Sequence, residues 1–323
     1  MGPHIATLRE REPGLGEVAI QTAASLISAG TELHYISRMR SGTERFPLGY
    51  CAAGCVLSVG DPTGDALSGR RVIAMGWQQA IHAERIVVNK RLVVPLPDTV
   101  SFQEGVFAGL AATGVHAVHR ATQKGGERVL VVGLGLVGQL VAQLARRLSS
   151  KVVGIEPLQS RRETAIRCGI DAVYGEFADL PDGRFDRIYL CISGEATSVI
   201  QNAVVRIARM ADLQPRGAII AVGRFEGKVS FEPEMGNVDF RYAARCGTGY
   251  RHADYERGTI DFRPPDGEDT VDGNLSVALR LIANGLLDTR KLLSHEITFD
   301  NAAEAYKLLE EDNTALGVVL RYS

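Results

Sequence analysis

Residues 127–148, ERVLVVGLGLVGQLVAQLARRL, constrain the fold more than any other stretch of the chain. The apolar run Val129–Val132 reads as a buried strand, and the amphipathic run from Leu136 reads as a helix. Between them Gly133, Gly135 and Gly138 stand in G-x-G-x-x-G spacing. That spacing alone is common in glycine-rich turns. Here a second apolar strand, KVVGIE, follows the helix and ends in Glu156, 23 positions after Gly133. A dinucleotide-binding βαβ unit carries an acid at about that distance, roughly 20 residues on.

Each glycine has its own task. Gly133 permits the tight turn, Gly135 lets the backbone approach a pyrophosphate, and Gly138 lets the helix pack closely on the sheet. The N–H groups at the helix start, at Leu136 and Val137, are then free for phosphate. Glu156 favours NAD over NADP, because a carboxylate accepts from two ribose hydroxyls and repels a 2′-phosphate. Arg161 and Arg162 argue the other way unless they are a solvated helix start; Arg161 is kept as a candidate cofactor contact. Ligands bind beyond the carboxyl ends of parallel strands. Cys191, Ile192 and Ser193 after one strand, and Val222 and Gly223 after another, are therefore expected to border the nicotinamide.

Strands and helices alternate on both sides of this motif, from SFQEGVFAGLAATGVHAVHRA, a helix opened by a capping box of Ser101 and Glu104, to GAIIAVG. Alternation with near-continuous Val/Ile/Leu strands implies an α/β domain with a parallel sheet covered on both faces. Residues 14–95 have another rhythm: short strands such as GEVAIQTAAS and RVIAMG between Gly, Pro and Asp clusters, which suggests a barrel-like β domain. The tail from about residue 270 is expected to return to that first domain. The expected division is residues 1–103 with 270–323, and 104–269 for dinucleotide binding.

A formal charge of −2 gives no general attraction to nucleic acid or an anionic membrane. No apolar run approaches the ~18 residues of a membrane span. The N-terminal MGPHIATLRERE carries charges where a signal peptide is apolar, so a cytoplasmic chain is expected. The five cysteines form no Cys-x-x-Cys pair, and Cys51 and Cys55 read as small buried residues of one strand face. His116 and His119 lie three apart on a helix, but neither they nor the other histidines make a trusted metal-ligand spacing.

PGLGEVAIQ, the turn SAGTELH, PLGYCAAGCVLSVG, LSGRRVIAM, LPDTVSFQEGVFAGLAATGVHAV, the glycine motif and AAEAYKLLEE occur in an order that resembles the medium-chain dehydrogenase/reductase superfamily. The resemblance covers nearly the whole chain. It implies a GroES-like β-barrel catalytic domain plus a Rossmann domain, a small-molecule substrate and a homo-oligomer, commonly a dimer. SLISAGTE and CGTGYRHADYERG look closest to bacterial dehydrogenases found fused to a glucose-fructose-oxidoreductase-like half. Zinc members take ligands from a Cys before Gly-Thr, a His-Glu pair and a Cys or Asp near the next helix. Those places hold Ala29, Tyr50–Cys51 and, approximately, Gly109, and the four-cysteine lobe is missing, so no zinc is expected. Thr31 falls where the superfamily's alcohol-binding hydroxyl sits, His34 where its proton relay ends, and Tyr50 at a lost ligand position. The bland alternatives are a helix cap for Thr31, a surface residue for His34 and a core aromatic for Tyr50.

The expectation is a zinc-independent, NAD-preferring oxidoreductase that moves a hydride between nicotinamide and a secondary alcohol or ketone, with a sugar or cyclitol as substrate. Reduction of a conjugated C=C bond is the alternative reaction. A nicotinamide-binding sensor without turnover is the alternative of another class.

Overall fold

The computed structural model of the chain describes residues 3–42, 45–61 and 65–323. Along it run β1 (Glu17–Ile27), α1 (Ala29–Ser41), β2 (Cys51–Val59), β3 (Arg71–Met75), β4 (Arg85–Asn89) and β5 (Val93–Pro95). The helices α2 (Phe102–Gly105) and α3 (Ala108–Arg120) precede β6 (Arg128–Val132), α4 (Leu136–Arg146) and β7 (Lys151–Ile155). Next come α5 (Gln159–Arg167), β8 (Ala172–Tyr174), β9 (Arg187–Leu190), β10 (Gly194–Glu195), α6 (Thr197–Val205) and β11 (Arg216–Ala221). The remainder is β12 (Phe225–Glu226), β13 (Asn237–Tyr242), α7 (Ala253–Glu256), α8 (Val271–Ala283), β14 (Leu293–Thr298), α9 (Ala302–Glu311) and β15 (Gly317–Arg321).

Two units result. Met1–Ala112, Gly247–Pro265 and Asp269–Ser323 form the first; Thr113–Cys246 and Asp266–Glu268 form the second. These limits differ from the expected division at 104 and 270. The segment 247–265 joins the first unit because it is bonded there: buried Glu256 accepts from the side chains of Gln79 and Asn89 at 2.9 Å each.

In the first unit the sheet order is β14-β15-β1-β2-β3-β5, with β4 also on β1. β1 serves two neighbours on one edge, β4 along Glu17–Gln21 and β15 along Ala24–Ile27. Register shifts against β2 lie between Ala19 and Ile20 and between Thr22 and Ala24, and the added twist of such irregularities lets one strand turn from one partner to the next. Ile27 of β1 and Ile36 of α1 pack with Ala305 and Tyr306 of α9 in one apolar cluster.

The second unit holds a parallel six-stranded sheet, β13-β11-β9-β6-β7-β8. Side chains alternate across it. Val129, Val131, Tyr189 and Ile220 pack with Val141 and Ala145 of α4 on one face, and Leu130, Val132, Ile188 and Ile219 pack with Ile200 and Ala203 of α6 on the other. This is the α/β architecture of a GroES-like domain plus a Rossmann domain.

The capping box forms, with Ser101 Oγ accepting from Glu104 N. The single helix expected after it does not: α2 stops at Gly105 and α3 starts at Ala108. Val106 and Phe107 are buried, which takes the chain into the core between the two helices. Among the described residues no helix is long and apolar enough to cross a membrane.

Candidate functional site

The glycine turn of the second unit is built by close backbone approach. Gly133 adopts φ 85°, a left-handed value that favours glycine, and a Cβ there would come within 2.7 Å of the Cys191 carbonyl oxygen. A Cβ at Gly138 would overlap the carbonyl oxygen of Gly133. At Gly135 the nearest atom to such a Cβ is Arg161 Nη1, at 3.9 Å, so the backbone there faces open space beside a guanidinium. Gly135 caps α4 without a side chain, and the first-turn N–H groups of Leu136 and Val137 have no intrahelical acceptor. Buried Gln139 ties the turn to α5, donating to the carbonyls of Leu134 and Arg161. Arg161 Nε is buried without a hydrogen-bond partner.

Glu156 does not stand free for a ribose. Its buried carboxylate accepts from Leu134 N at 2.8 Å and Leu158 N at 3.1 Å, so it braces the glycine turn from below. Each oxygen takes one N–H and so holds the carboxylate to the turn, and the spacing of Glu156 alone carries no preference for NAD. Cys191, Ile192 and Ser193 follow β9, and Val222 and Gly223 follow β11. Their two loops meet: a Cβ at Gly223 would overlap the carbonyl of Ile192. Burial pushes the Cys191 thiol up to about 12, so it stays protonated at neutral pH.

In the first unit the turn 27–35 carries a second constellation. α1 begins at Ala29 with Ser28 as N-cap, and Ser28 Oγ makes no capping bond. It accepts instead from Tyr50 Oη at 2.5 Å, and the Tyr50 hydroxyl also bonds the side chain of Thr31. Thr31 and Tyr50 are therefore brought together, and Thr31, inside α1, is not its cap. Burial, first, and then neighbouring Cys51 raise the Tyr50 pKa, so the phenol remains a proton donor across the physiological range. His34 is exposed on α1, edge-on to Tyr35.

Beneath the turn runs a polar chain that the sequence reading missed. Glu32, fully buried, accepts from Ser28 N at 2.7 Å, from His82 at 3.0 Å and from Tyr306 Oη at 2.5 Å. Because an ionised carboxylate only accepts, His82 Nε2 donates. His82 Nδ1 meets Ser25 Oγ at 2.7 Å, and Ser25 meets Tyr322 Oη at 2.8 Å. The only sequence signal for this chain was the acid in the Gly-Thr-Glu turn.

No family model matches the chain. The uncharacterized zinc-type alcohol dehydrogenase-like protein YphC of Escherichia coli is 25% identical over 268 residues, 68% of this chain and 73% of that protein. D-guloside 3-dehydrogenase of Escherichia coli is 31% identical over 128 residues, 39% of this chain and 36% of that one. Among solved structures, Escherichia coli galactitol-1-phosphate dehydrogenase superposes with TM-score 0.77 at 17% identity, covering 98% of this chain and 96% of that chain. A putative zinc-binding dehydrogenase of Clostridium scindens superposes with TM-score 0.74 at 16% identity, over 98% and 93%.

These zinc-type relatives overturn the expectation of a zinc-free chain, which rested on the lost ligand places at Ala29, Tyr50–Cys51 and Gly109 and on the missing four-cysteine lobe; they point to zinc. The residues at the turn do not by themselves supply a site. Ala29 has no donor atom, the Tyr50 hydroxyl is engaged, and buried Cys51 lies against Gly109. Among the described residues no three His, Cys, Asp or Glu side chains are grouped to hold a metal ion. The chain thus resembles a zinc-type alcohol dehydrogenase-like protein and sugar dehydrogenases in sequence, and shares the fold of dehydrogenases of known structure.

Proposed function

We propose that the chain is an oxidoreductase that passes a hydride between a nicotinamide dinucleotide and a secondary alcohol or ketone of a sugar or polyol. The observation that carries this reading is the Tyr50–Ser28–Thr31 hydroxyl cluster, on a chain whose second unit has an open glycine turn. The relatives named as sugar and polyol dehydrogenases agree with it. The N–H groups of Leu136 and Val137, with Arg161 beside Gly135, are suited to a pyrophosphate. Cys191, Ile192, Ser193, Val222 and Gly223 are assigned to the nicotinamide side. A bound nicotinamide supplies the hydride donor or acceptor.

The protein's own groups manage the proton. In the reducing direction Tyr50 Oη turns its one proton from Ser28 Oγ to the carbonyl oxygen as negative charge develops there, and the Ser28 and Thr31 hydroxyls then donate to the phenolic oxygen and hold it in place. The proton is replaced through Thr31 and His34, whose exposed imidazole is open to exchange with solvent. Oxidation reverses each transfer. The chain is further proposed to pair as a homodimer. β13 ends the parallel sheet, and Phe231, Phe240 and Tyr242 lie exposed on or beside it.

The test is Tyr50→Phe. Removing an oxyanion donor costs about 10²–10³ in kcat, so turnover of a polyol should fall by that factor while dinucleotide affinity holds. Unchanged turnover on an authentic substrate would remove Tyr50 from the proton route.

A further inference from the structure

A cavity of about 550 Å³ opens in the first unit, walled by Trp77, Gln78, Glu256, Arg251 and the segment Leu8–Arg11. That volume suits a small molecule. Its wall is strained. Gln78 and Arg251, neither of them glycine, adopt φ 61° and 68°, and such conformations persist only where surrounding structure over-determines them, often at ligand clamps. Here that structure is explicit. Glu256 is 2% exposed; one of its oxygens accepts from Arg251 N at 2.7 Å, the other from the Gln79 and Asn89 amides. Trp77 N donates to Tyr250 Oη at 3.0 Å. The turns carrying Trp77 and Arg251 are thus sewn together by hydrogen bonds.

What this frame presents is a guanidinium over an indole. Arg251 Cζ lies 5.3 Å from the Trp77 ring and 5.8 Å from the Tyr250 ring. The other charges of the wall are largely spent on one another. Glu17 is bonded by Arg11 and faces Arg257 at 3.7 Å, and Glu10 pairs with Arg85. Glu256 is consumed by its three N–H donors. Among the described residues, Arg9 and Arg251 are the lining cations with no carboxylate at ion-pair distance. Trp77 also lies 6.1 Å from the Tyr50 ring, centroid to centroid, so one side of the indole borders the hydroxyl cluster.

We infer that this cavity takes a hydroxylated small-molecule anion, a sugar acid or sugar phosphate, with Arg251 on the anionic group and Trp77 against the carbon face. This rests on the proposed alcohol-oxidising function in making that anion the substrate class; the binding site itself does not. A planar guanidinium matches carboxylate and phosphate alike; Tyr35 and Phe46 pack against the indole at 4.7 and 5.6 Å between centroids, and its part-exposed remainder lines the cavity as apolar surface for the carbon chain.

Trp77 is the only tryptophan in the chain, so its fluorescence reads the cavity without turnover. D-galactonate, galactitol 1-phosphate and neutral galactitol are titrated into the full chain and into Arg251→Gln, with NADH binding as the check on folding. At least one anion should change the emission saturably and bind about tenfold or more tightly than galactitol, as a charge-assisted contact implies. Arg251→Gln should remove that advantage while NADH affinity stays within about twofold. Equal binding of galactitol, an anion affinity indifferent to Arg251→Gln, or no saturable response to any of the three overturns the inference. Arg251-dependent anion binding without oxidation of any alcohol would instead overturn the dehydrogenase reading and leave the anion site standing.

Discussion

Replacing Glu32 with alanine should destabilise the first unit far beyond the loss of one side chain's packing. Three donors converge on this carboxylate: Ser28 N, His82 Nε2 and Tyr306 Oη, at 2.7, 3.0 and 2.5 Å. Each buried donor left without an acceptor costs about 1–3 kcal/mol. The three share one acceptor and one space, so their penalties do not simply add, and about 3–5 kcal/mol is the expected total. At about 2–4 °C per kcal/mol for a unit of this size, scanning calorimetry should place its transition about 6–20 °C lower. Glu32→Gln keeps the volume and one acceptor, and should lose less. In a double-mutant cycle, Glu32→Gln with Tyr306→Phe should show a coupling above about 0.5 kcal/mol. A shift under about 2 °C for Glu32→Ala would refute the reasoning, because water would then be satisfying the three donors.

The two nearer glycines of the turn should separate packing from binding. Gly135→Ala meets open space in the free protein and should leave Tm unchanged while weakening NADH and NADPH at least about tenfold; Gly138→Ala should lower both Tm and binding. Equal effects of the two on Tm would mean that Gly135 is structural. Acid stability tests Glu17, whose carboxyl is held below its ordinary 4.5 by the hydrogen bond from Arg11. A depressed folded-state pKa gives stability that is present above 4.5 and lost as pH falls through the lower folded value. Glu17→Gln should therefore flatten the decline in urea midpoint below that pH, and a decline as steep as the parent's would assign acid sensitivity elsewhere.

The glycine motif was legible because every feature it needs lies within about thirty residues: strand, turn, helix, second strand and acid. What the acid does was not. Glu156 satisfies the spacing, yet turns its oxygens to Leu134 N and Leu158 N, and spacing carries no information about side-chain direction. The capping box at Ser101 was read correctly for the same local reason, while the break at Val106–Phe107 depends on a core the sequence does not display. Ser28, Ser25, His82, Tyr306 and Tyr322 were missed as a set. Their side-chain to side-chain bonds join residues 22 to 297 positions apart, and no local pattern announces them. Thr31 and Tyr50 were found only because the Gly-Thr-Glu turn and the Gly-Tyr-Cys strand carry a superfamily resemblance. Zinc was misjudged because losses at the superfamily's own ligand places and of its four-cysteine lobe were taken to speak for the whole chain.

The double partnership of β1 governs the order in which the protein is made. Its Ala24–Ile27 half pairs with Val318–Arg321, nearly the full chain away. During synthesis that half has no neighbour on one edge until residues 318–321 have left the ribosome. Thr113–Cys246, by contrast, is one continuous stretch and is able to close its parallel sheet much earlier. Collapse of that stretch shortens the effective loop that β15 must close, and loop-closure entropy falls with it. The waiting edge of β1 is apolar and unpaired in the meantime, which makes the nascent first unit the stage most exposed to aggregation and to chaperone capture.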